Sequence, residues 1–402
     1  MHPGVRFHSF LETSGYAMAA LAHVRGLVNA GVPVQWCLLG RSSGGIVSLP
    51  PGAIPPMVDA ARNDQALADL LALLAATSLP VAHDRVVAFT VPELWPQLFE
   101  PGKRNIGCTV WETDRAPAHW RTLLDLADAV VVPCAQNRQV FEAAGVRAPV
   151  RVVPHVRRHA WNEFTPAELA AARHEFALDG VRTVFYTINA WDPRKDLPAL
   201  LRAFVNAFSR DDPVALVVKT GPDGFGAPPF YRREPVLPLA RAVIDAAASA
   251  AGHPAPAITM LPYEMSGRGI DMLHYLGDVY VSMAHGEGWG LGAFDAAALG
   301  RPLLMTGWGG HRDYLGDDAA WPGALPWRMT SVPIFPPDQP SYWRSQRWAS
   351  VEDGAAVRAM RGFIADPVPH VHAAAAIAER IANDYAEPLV AQQFIDVLMG
   401  GR

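Results

Sequence analysis

The sequence predicts an α/β protein of two domains, each a parallel β-sheet with helices packed on it. Three observations carry that expectation. The chain opens with a strand-like run at residues 5–10, a helical spacing of Tyr16, Ala20, Leu21, Val24, Leu27 and Val28, and a second strand-like run at 32–39. Strand, turn, helix and strand in that order build a parallel sheet. The chain has 402 residues, 50% of them hydrophobic, which is too much for one ordinary core and suits two domains. Deep in the second half, a glycine-rich turn joins the apolar run 279–283 to a helical run ending near Gly300, so the same strand, turn and helix recur there.

Composition narrows the function. Lys+Arg 34 against Asp+Glu 39 leaves a net charge of −5, without the basic excess of a nucleic-acid binder. Cys37, Cys108 and Cys134 are odd in number and unevenly spaced, as expected of free thiols in a reducing compartment rather than of disulfides or a metal site. Residues 1–4 carry no charged and apolar leader pattern, and the apolar stretch 66–82 is interrupted by Asp69, short of the roughly 20 residues a membrane span needs. The expectation is a cytoplasmic protein with at most a peripheral contact at the inner membrane.

In the first half, Gly31 ends the opening helix, and residues 41–57, rich in Gly, Pro and Ser, read as a surface loop. Residues 66–76 read as a helix and 86–89 as a strand. Residues 92–96 read as a loop whose Trp95 covers either a ligand or the core. A strand at 105–110 runs into Trp111, Glu112, Thr113 and Asp114. Polar groups just beyond the carboxyl end of a strand in such a sheet stand where ligands bind. Thr113 or Asp114 could equally cap a helix beginning after Pro117. A strand at 129–133, a helix at 137–144 and a strand at 150–155 complete this half. Arg147, Arg151, Arg157 and Arg158 then gather near the domain junction.

The second half opens with Thr165-Pro166-Ala167-Glu168, a capping box with proline at the first helical position. A strand at 183–188 ends in Asn189-Ala190-Trp191-Asp192-Pro193-Arg194-Lys195-Asp196. The next helix puts Leu197, Leu200, Leu201, Phe204, Val205 and Phe208 on one face. Cations are unfavourable at a helix N-terminus, so Arg194 and Lys195 point to an anionic partner. Lys219 ends the strand 215–219. A long polar loop spans 221–235, followed by a helix from Leu237, a strand at 258–261 and a helix at 268–276. Then comes His285-Gly286-Glu287-Gly288-Trp289-Gly290-Leu291-Gly292, with Asp295 in the helix beyond. Glycines let the backbone approach a ligand closely, and free N–H groups at a helix start favour phosphate. After the strand 302–305, Gly309 and Gly310 form a second backbone-rich loop. Residues 321–348 show no period, and helices return at 371–384 and 387–399.

Glu287-Gly288-Trp289-Gly290-Leu291, the acid eight positions on, Gly300-Arg301-Pro302 and then Gly309-Gly310 resemble the signature of the family 4 retaining glycosyltransferases. That signature is a Glu-x7-Glu motif, a Gly-x-Pro strand and a Gly-Gly loop; here Asp295 takes the place of the second Glu. The resemblance implies the GT-B fold, two Rossmann-like domains with parallel sheets facing across a cleft. The acceptor domain would cover residues 1–158 and the donor domain 159–384, with a last helix at about 385–402 crossing back. It further implies transfer of a sugar from a nucleotide-diphosphate sugar, held by the second domain, to a hydroxyl acceptor that is a glycan, a lipid-linked glycan or a protein.

Lys195 matches the family's phosphate-binding Lys, but Ala190 stands where its Arg is expected, so either Arg194 compensates or phosphate binding is weaker than usual. The implied donor site comprises Lys195, Arg194, Lys219, Gly288, Trp289, Gly290, Leu291, Asp295, Gly309 and Gly310, with Glu287 at the sugar and Asp295 at the ribose. Ser14, Gly15, Tyr16, Glu112 and Asp114 are the acceptor-side candidates, and Glu287, Lys195 and Glu112 the catalytic ones; Ser14 or Thr13 has the competing role of a helix cap. No Asp-x-Asp pair in a suitable loop and no His/Cys cluster is visible, so neither a metal nor another cofactor is expected. Charge on the diphosphate would fall to Lys195, Arg194 and the amides of residues 288–291. Because Ala190 and Asp295 depart from the pattern, the alternative is a sugar-nucleotide-binding partner that has lost turnover. A non-hydrolysing epimerase of the same architecture lacks support from the central motif.

Overall fold

The computed structural model describes residues 3–42, 45–50, 65–158, 160–226, 232–333 and 340–401. The chain divides into two compact units. One comprises Met1–Trp111, Arg115–His159 and Asn383–Arg402; the other comprises Glu112–Asp114 and Ala160–Ala382.

The first unit is built on β1 (Gly4–Phe10), β2 (Val34–Ser42), β3 (Gly45–Ser48), β4 (His83–Phe89), β5 (Arg104–Cys108), β6 (Ala129–Val132) and β7 (Val150–Val152). They lie in the order β3-β2-β1-β4-β5-β6-β7, parallel except for β3, which runs antiparallel to β2. The reading of 41–57 as a loop is corrected at its start. Arg41 and Ser42 extend β2 and pair with Ile46 and Gly45, while 51–57 lies outside the described residues. A second correction concerns residues 92–96, where a 3-10 turn (Pro92–Leu94) runs into a short helix from Trp95. Trp95 is fully buried, and a Cβ at Gly107 would stand 2.2 Å from its ring, so it covers core. Neither Thr113 nor Asp114 caps a helix: that helix starts at Trp120, with His119 at its N-cap.

Val5, Phe7, Val24, Leu27, Val87 and Ile106 share the first unit's core with Val390 and Phe394 of the last helix, Glu387–Leu398. Gly26 permits this approach, since a Cβ there would be 3.2 Å from Ala391.

The second unit carries β8 (Thr183–Ile188), β9 (Val214–Thr220), β12 (Ala257–Pro262), β13 (Val279–Ser282), β14 (Leu303–Thr306) and β15 (Ala324–Leu325) in the order β12-β9-β8-β13-β14-β15, all parallel. The stretch read as a polar loop, 221–235, contains a small antiparallel ribbon of β10 (Asp223–Phe225) and β11 (Arg233–Pro235), with 227–231 outside the described residues. The aperiodic stretch 321–348 contains β15 and a ribbon of β16 (Trp327–Ser331) against β17 (Arg347–Val351). Thr165 and Glu168 form the capping box in both directions. On the helix Leu197–Ala207, Leu197, Leu200, Leu201, Phe204 and Val205 are all at most 1% exposed. Each such burial stabilises by about 1.5–3 kcal/mol relative to exposure, so the helix start and the residues before it are held firmly against β8 and β13.

Three histidines of the first unit are buried without charge. Burial lowers the pKa of His23 to about 4 and that of His155, helped by His23, to about 3. It also lowers His8 to about 4, with Arg6 contributing. His23 stacks on Phe394 at 5.2 Å and faces Phe89, which leaves no room for hydrated charge. In the unfolded chain these groups take up protons below about pH 6.5, whereas the folded protein takes them up only near pH 4 or lower. The unfolded state therefore binds more protons in that window, and stability falls as pH falls. Urea unfolding at pH 7, 6 and 5 should show a loss approaching about 1.4 kcal/mol per pH unit for each such histidine, and His23→Phe should flatten the slope.

Candidate active site

The site is assembled in the second unit from chain segments leaving the carboxyl ends of adjacent strands. β8 leads into residues 189–196, β13 into 283–290, and β14 into 307–311. Backbone hydrogen bonds join them: His285 N donates to Arg194 O at 2.8 Å, and Gly310 N donates to Glu287 O at 2.7 Å. Asp196 sits in the left-handed region (φ 44°) and caps the helix by accepting from Ala199 N, which leaves Lys195 and Arg194 just outside the helix start. Gly290 (φ 82°) and Gly309 (φ 142°) take backbone angles that side chains disfavour.

The central contact is ionic. Lys195 Nζ lies 2.5 Å from Glu287 Oε1, and Arg194 Nη1 lies 3.3 Å from Glu287 Oε2 and donates to Gly286 O at 2.7 Å. Glu287 is only 7% exposed. Burial alone would push its carboxyl up, but Lys195 and then Arg194 outweigh burial and hold it below the ordinary carboxylate range. Burial opposes the Arg194 charge, yet Glu112, Tyr342 and Glu287 outweigh it and raise its pKa.

Glu112 is a second carboxyl of this cluster. Its Oε1 is 3.7 Å from Arg194 Nη2, and its Oε2 accepts a hydrogen bond from the Tyr342 hydroxyl at 3.0 Å. Burial, with Glu287 adding to it, pushes its pKa up against Arg194, the Tyr342 hydrogen bond and Lys195. The segment is seated on Gly286, where a Cβ would stand 2.1 Å from the Glu112 carbonyl oxygen. Only glycine allows that approach. Asp114 continues the docking: its carboxylate accepts from Arg347 N at 2.6 Å, and its own N donates to Arg347 O at 2.8 Å.

The structure thus brings together Lys195, Arg194, Glu287 and Glu112 from three separate places in the sequence. Other expected residues stand elsewhere. Lys219, at the end of β9, donates to Thr220 O at 3.0 Å; burial lowers its pKa against an opposing effect of Glu264. Trp289 is 3% exposed and packs with Phe294 and Tyr314 at 5.2 and 5.1 Å, so it braces the turn from inside. The Tyr314 hydroxyl donates to the Trp289 and Gly290 carbonyls at 3.2 and 3.3 Å. Gly288, Gly290 and Leu291 form the turn and helix start, and Asp295 lies half-buried in the helix Leu291–Ala298.

In the first unit, Ser14 is the N-cap of the helix Gly15–Asn29, accepting from Ala17 N at 3.4 Å. The Tyr16 hydroxyl pairs with Thr109 Oγ1 at 2.7 Å and accepts from Val110 N at 2.9 Å.

Sequence reasoning missed Tyr342, Arg347 and the bracing of His285. Nδ1 of His285 donates to Ala349 O at 2.7 Å, and its ring stacks on Trp348 at 4.6 Å and 10°. Among the described residues, no group of three His, Cys, Asp or Glu side chains could hold a metal ion, and no helix is long and apolar enough to cross a membrane.

Comparison with known proteins bears on the fold. No family model matches the chain. A D-inositol 3-phosphate glycosyltransferase of Rhodococcus jostii is 31% identical over 149 residues, 37% of this chain and 30% of that protein, so the match spans under a third of the relative's length. Among solved structures, HepE of Anabaena in complex with UDP-glucose has a TM-score of 0.65 at 12% identity, over 99% of this chain and 100% of that one. Sucrose-phosphate synthase from Thermosynechococcus elongatus has 0.63 at 14%, over 99% and 98%. A trehalose-6-phosphate protein from E. coli bound with UDP-2-fluoro glucose has 0.60 at 13%, over 98% of each chain. The fold is the GT-B fold, which the chain shares with these solved structures.

The seating of Glu112 on Gly286 can be checked directly. Gly286→Ala should lower stability by about 1–3 kcal/mol through overpacking, measured by urea unfolding. A crystal structure of the variant should show residues 112–114 displaced from the 285–287 turn.

Proposed function

We propose that this chain is a metal-independent, retaining glycosyltransferase that moves a sugar from a nucleotide-diphosphate sugar to a hydroxyl acceptor in glycan or glycoconjugate biosynthesis, drawing on a cytoplasmic donor pool and needing no cofactor. The observation that carries this reading is the Lys195–Glu287–Arg194 cluster at a strand-end turn. Two cations are fixed there beside a carboxylate and a helix start. The first N–H groups of a helix have no intrahelical partner and favour an anion. The relatives add support, since HepE was crystallised with UDP-glucose and the Rhodococcus protein is named a glycosyltransferase.

The roles follow from charge. A diphosphate arriving at the turn competes with Glu287 for Lys195 and Arg194, and it takes further hydrogen bonds from the amides of residues 288–291. Glu287, loosened from Lys195, turns to the donor sugar's hydroxyls, and Asp295 serves the ribose. As the bond from the sugar to phosphate breaks, negative charge grows on the leaving diphosphate, where the preorganised cations and dipoles stabilise it. Glu112 is the acceptor-side carboxylate: it accepts a hydrogen bond from the acceptor hydroxyl and orients it. With no enzymic nucleophile assigned, the leaving phosphate takes the acceptor's proton on the same face. Lys219 and the Gly309-Gly310 loop are carried as donor contacts. Ser14, Gly15, Tyr16 and Asp114 are carried as acceptor contacts, although Ser14, Tyr16 and Asp114 already hold their own unit's backbone.

A second reading has one observation in its favour. Ala190 stands where the resembling family has its phosphate-binding Arg, as it could in a partner protein that binds a sugar nucleotide and has lost turnover. Incubation with a panel of nucleotide sugars and hydroxyl acceptors separates the two: release of free nucleotide with a new glycoside supports the transferase, and binding without release supports the partner protein. Thermal shift with UDP, GDP and ADP identifies the base, because a ligand bound only by the folded state raises Tm.

Lys195→Ala should weaken donor binding by about 10- to 100-fold, the value of a hydrogen bond to a charged group, and leave the acceptor's KM within about twofold. A change confined to the acceptor's KM would remove Lys195 from the phosphate site. Glu287→Gln should lower kcat by about 100-fold or more if its charge acts in the transition state, and turnover within about twofold of the parent would move the site elsewhere.

A further inference from the structure

We infer that Tyr342 is the positioning residue of Glu112, holding one of its carboxylate oxygens so that the other is presented beside Arg194 to the acceptor hydroxyl. The inference rests on the reading of Glu112 as the acceptor-side carboxylate and adds a residue from a stretch in which the sequence shows no period.

The contact is specific. The Tyr342 phenol donates to Glu112 Oε2 at 3.0 Å, while Oε1 is the oxygen 3.7 Å from Arg194. The phenol is itself held in place. Its ring packs in a small cluster with Val332, Trp348 and Trp308, at 6.3 Å from the Trp348 ring. The loop that bears it is closed by Gln346, which is 2% exposed: its Oε1 accepts from Trp343 N at 2.9 Å, and its Nε2 donates to Ser341 O at 3.0 Å.

The backbone of Glu112 is fixed as well, by Gly286 beneath it and by the paired hydrogen bonds of Asp114 and Arg347 two residues on. With both ends anchored, the hydroxyl of Tyr342 decides the orientation of the Glu112 carboxyl. The charged groups facing that carboxyl are Arg194, Glu287 and Lys195, besides the phenol. A donor hydrogen bond favours the ionised form, the form that can accept the acceptor's O–H, so the same contact serves geometry and charge.

Tyr342→Phe removes the donor and keeps the ring. In the full chain, kcat for transfer should fall about 10-fold with donor KM within about twofold, and the acid limb of the pH–rate profile should move up by about one pH unit, the scale of one such hydrogen bond. Replacement by a monofluorotyrosine, a stronger donor of the same shape, should move the limb down, which keeps the test decisive should the Phe variant lose structure. In the Glu112→Gln background, Tyr342→Phe should change kcat by less than about twofold, because the two side chains act as one unit.

Carbon NMR of carboxyl-labelled glutamate, with the Glu112 signal identified by its loss in Glu112→Gln, reads the same upward shift without any turnover. If no donor supports transfer but that shift appears, the positioning holds and the proposed reaction fails. If transfer occurs while the limb, the carboxyl signal and kcat are unmoved by Tyr342→Phe, or if the loss is the same without Glu112, the inference is overturned.

Discussion

The pairing of Glu287 with Lys195 and Arg194 is the constraint from which the rest of the site follows. A carboxylate 7% exposed cannot keep its charge without partners, because desolvation disfavours the ionised form. Two cations at 2.5 and 3.3 Å supply the compensation, and in return the carboxylate keeps two cations fixed next to a helix start, where cations are otherwise unfavourable. The pairing also defines what can enter. Whatever binds Lys195 and Arg194 must offer at least as much negative charge as Glu287, with oxygens placed to accept several hydrogen bonds. A diphosphate meets that requirement, and a neutral sugar alone does not.

Holding those three side chains requires support from several directions, and the second unit provides it in layers. The helix Leu197–Ala207 sets the height of Lys195 through its buried apolar face. Tyr314 holds the carbonyls of Trp289 and Gly290 from below, and His311, kept neutral by burial with a pKa of about 4, donates from Nε2 to Thr306 O at the end of β14. The β16–β17 ribbon finishes the frame: Trp348 stacks on His285, Ala349 exchanges hydrogen bonds with His285, and Arg347 pairs with Asp114. A site whose charged groups are held by buried second neighbours needs little reorganisation when charge develops on a substrate, which is the condition for electrostatic catalysis.

Much of the fold could be read from the sequence because it is local. Leu197, Leu200, Leu201, Phe204, Val205 and Phe208 state a helix and its buried face by spacing alone, and Thr165 to Glu168 state its neighbour's start through a side-chain and backbone exchange within four residues. Lys195, Arg194, Glu287 and Glu112 could be named as candidates because strand-to-helix turns concentrate function, but the contact between Lys195 and Glu287 spans 92 residues and has no local signature. The β16–β17 ribbon was illegible for a different reason. Its first strand, Trp327–Ser331, is largely exposed, and the apolar–polar alternation of Trp327, Arg328, Met329 and Thr330 covers only four residues, too short a run to mark a strand. Tyr342 therefore gave no signal. Nor could adjacency in sequence reveal that Glu112–Asp114 belong with the second unit while the residues on either side belong with the first.

The departure at Ala190 can now be weighed in physical terms. Ala190 is exposed, two residues past the end of β8. Arg194 enters the same cluster from the turn that follows, where the Asp192 carboxylate accepts from Lys195 N at 3.0 Å and Asp196 caps the helix. Its guanidinium ends on Gly286 O and Glu287 Oε2, beside the ammonium of Lys195. The number of cations at the turn is thus two, the number in the family pattern that the sequence resembles, and only their points of attachment differ. An electrostatic role depends on where charge sits rather than on which backbone position carries it. One difference remains that charge counting does not remove. Arg194 is shared with Glu112, so its engagement with an incoming anion is coupled to the carboxyl proposed for the acceptor side, and an anion that draws Arg194 away changes the environment of Glu112 at the same moment.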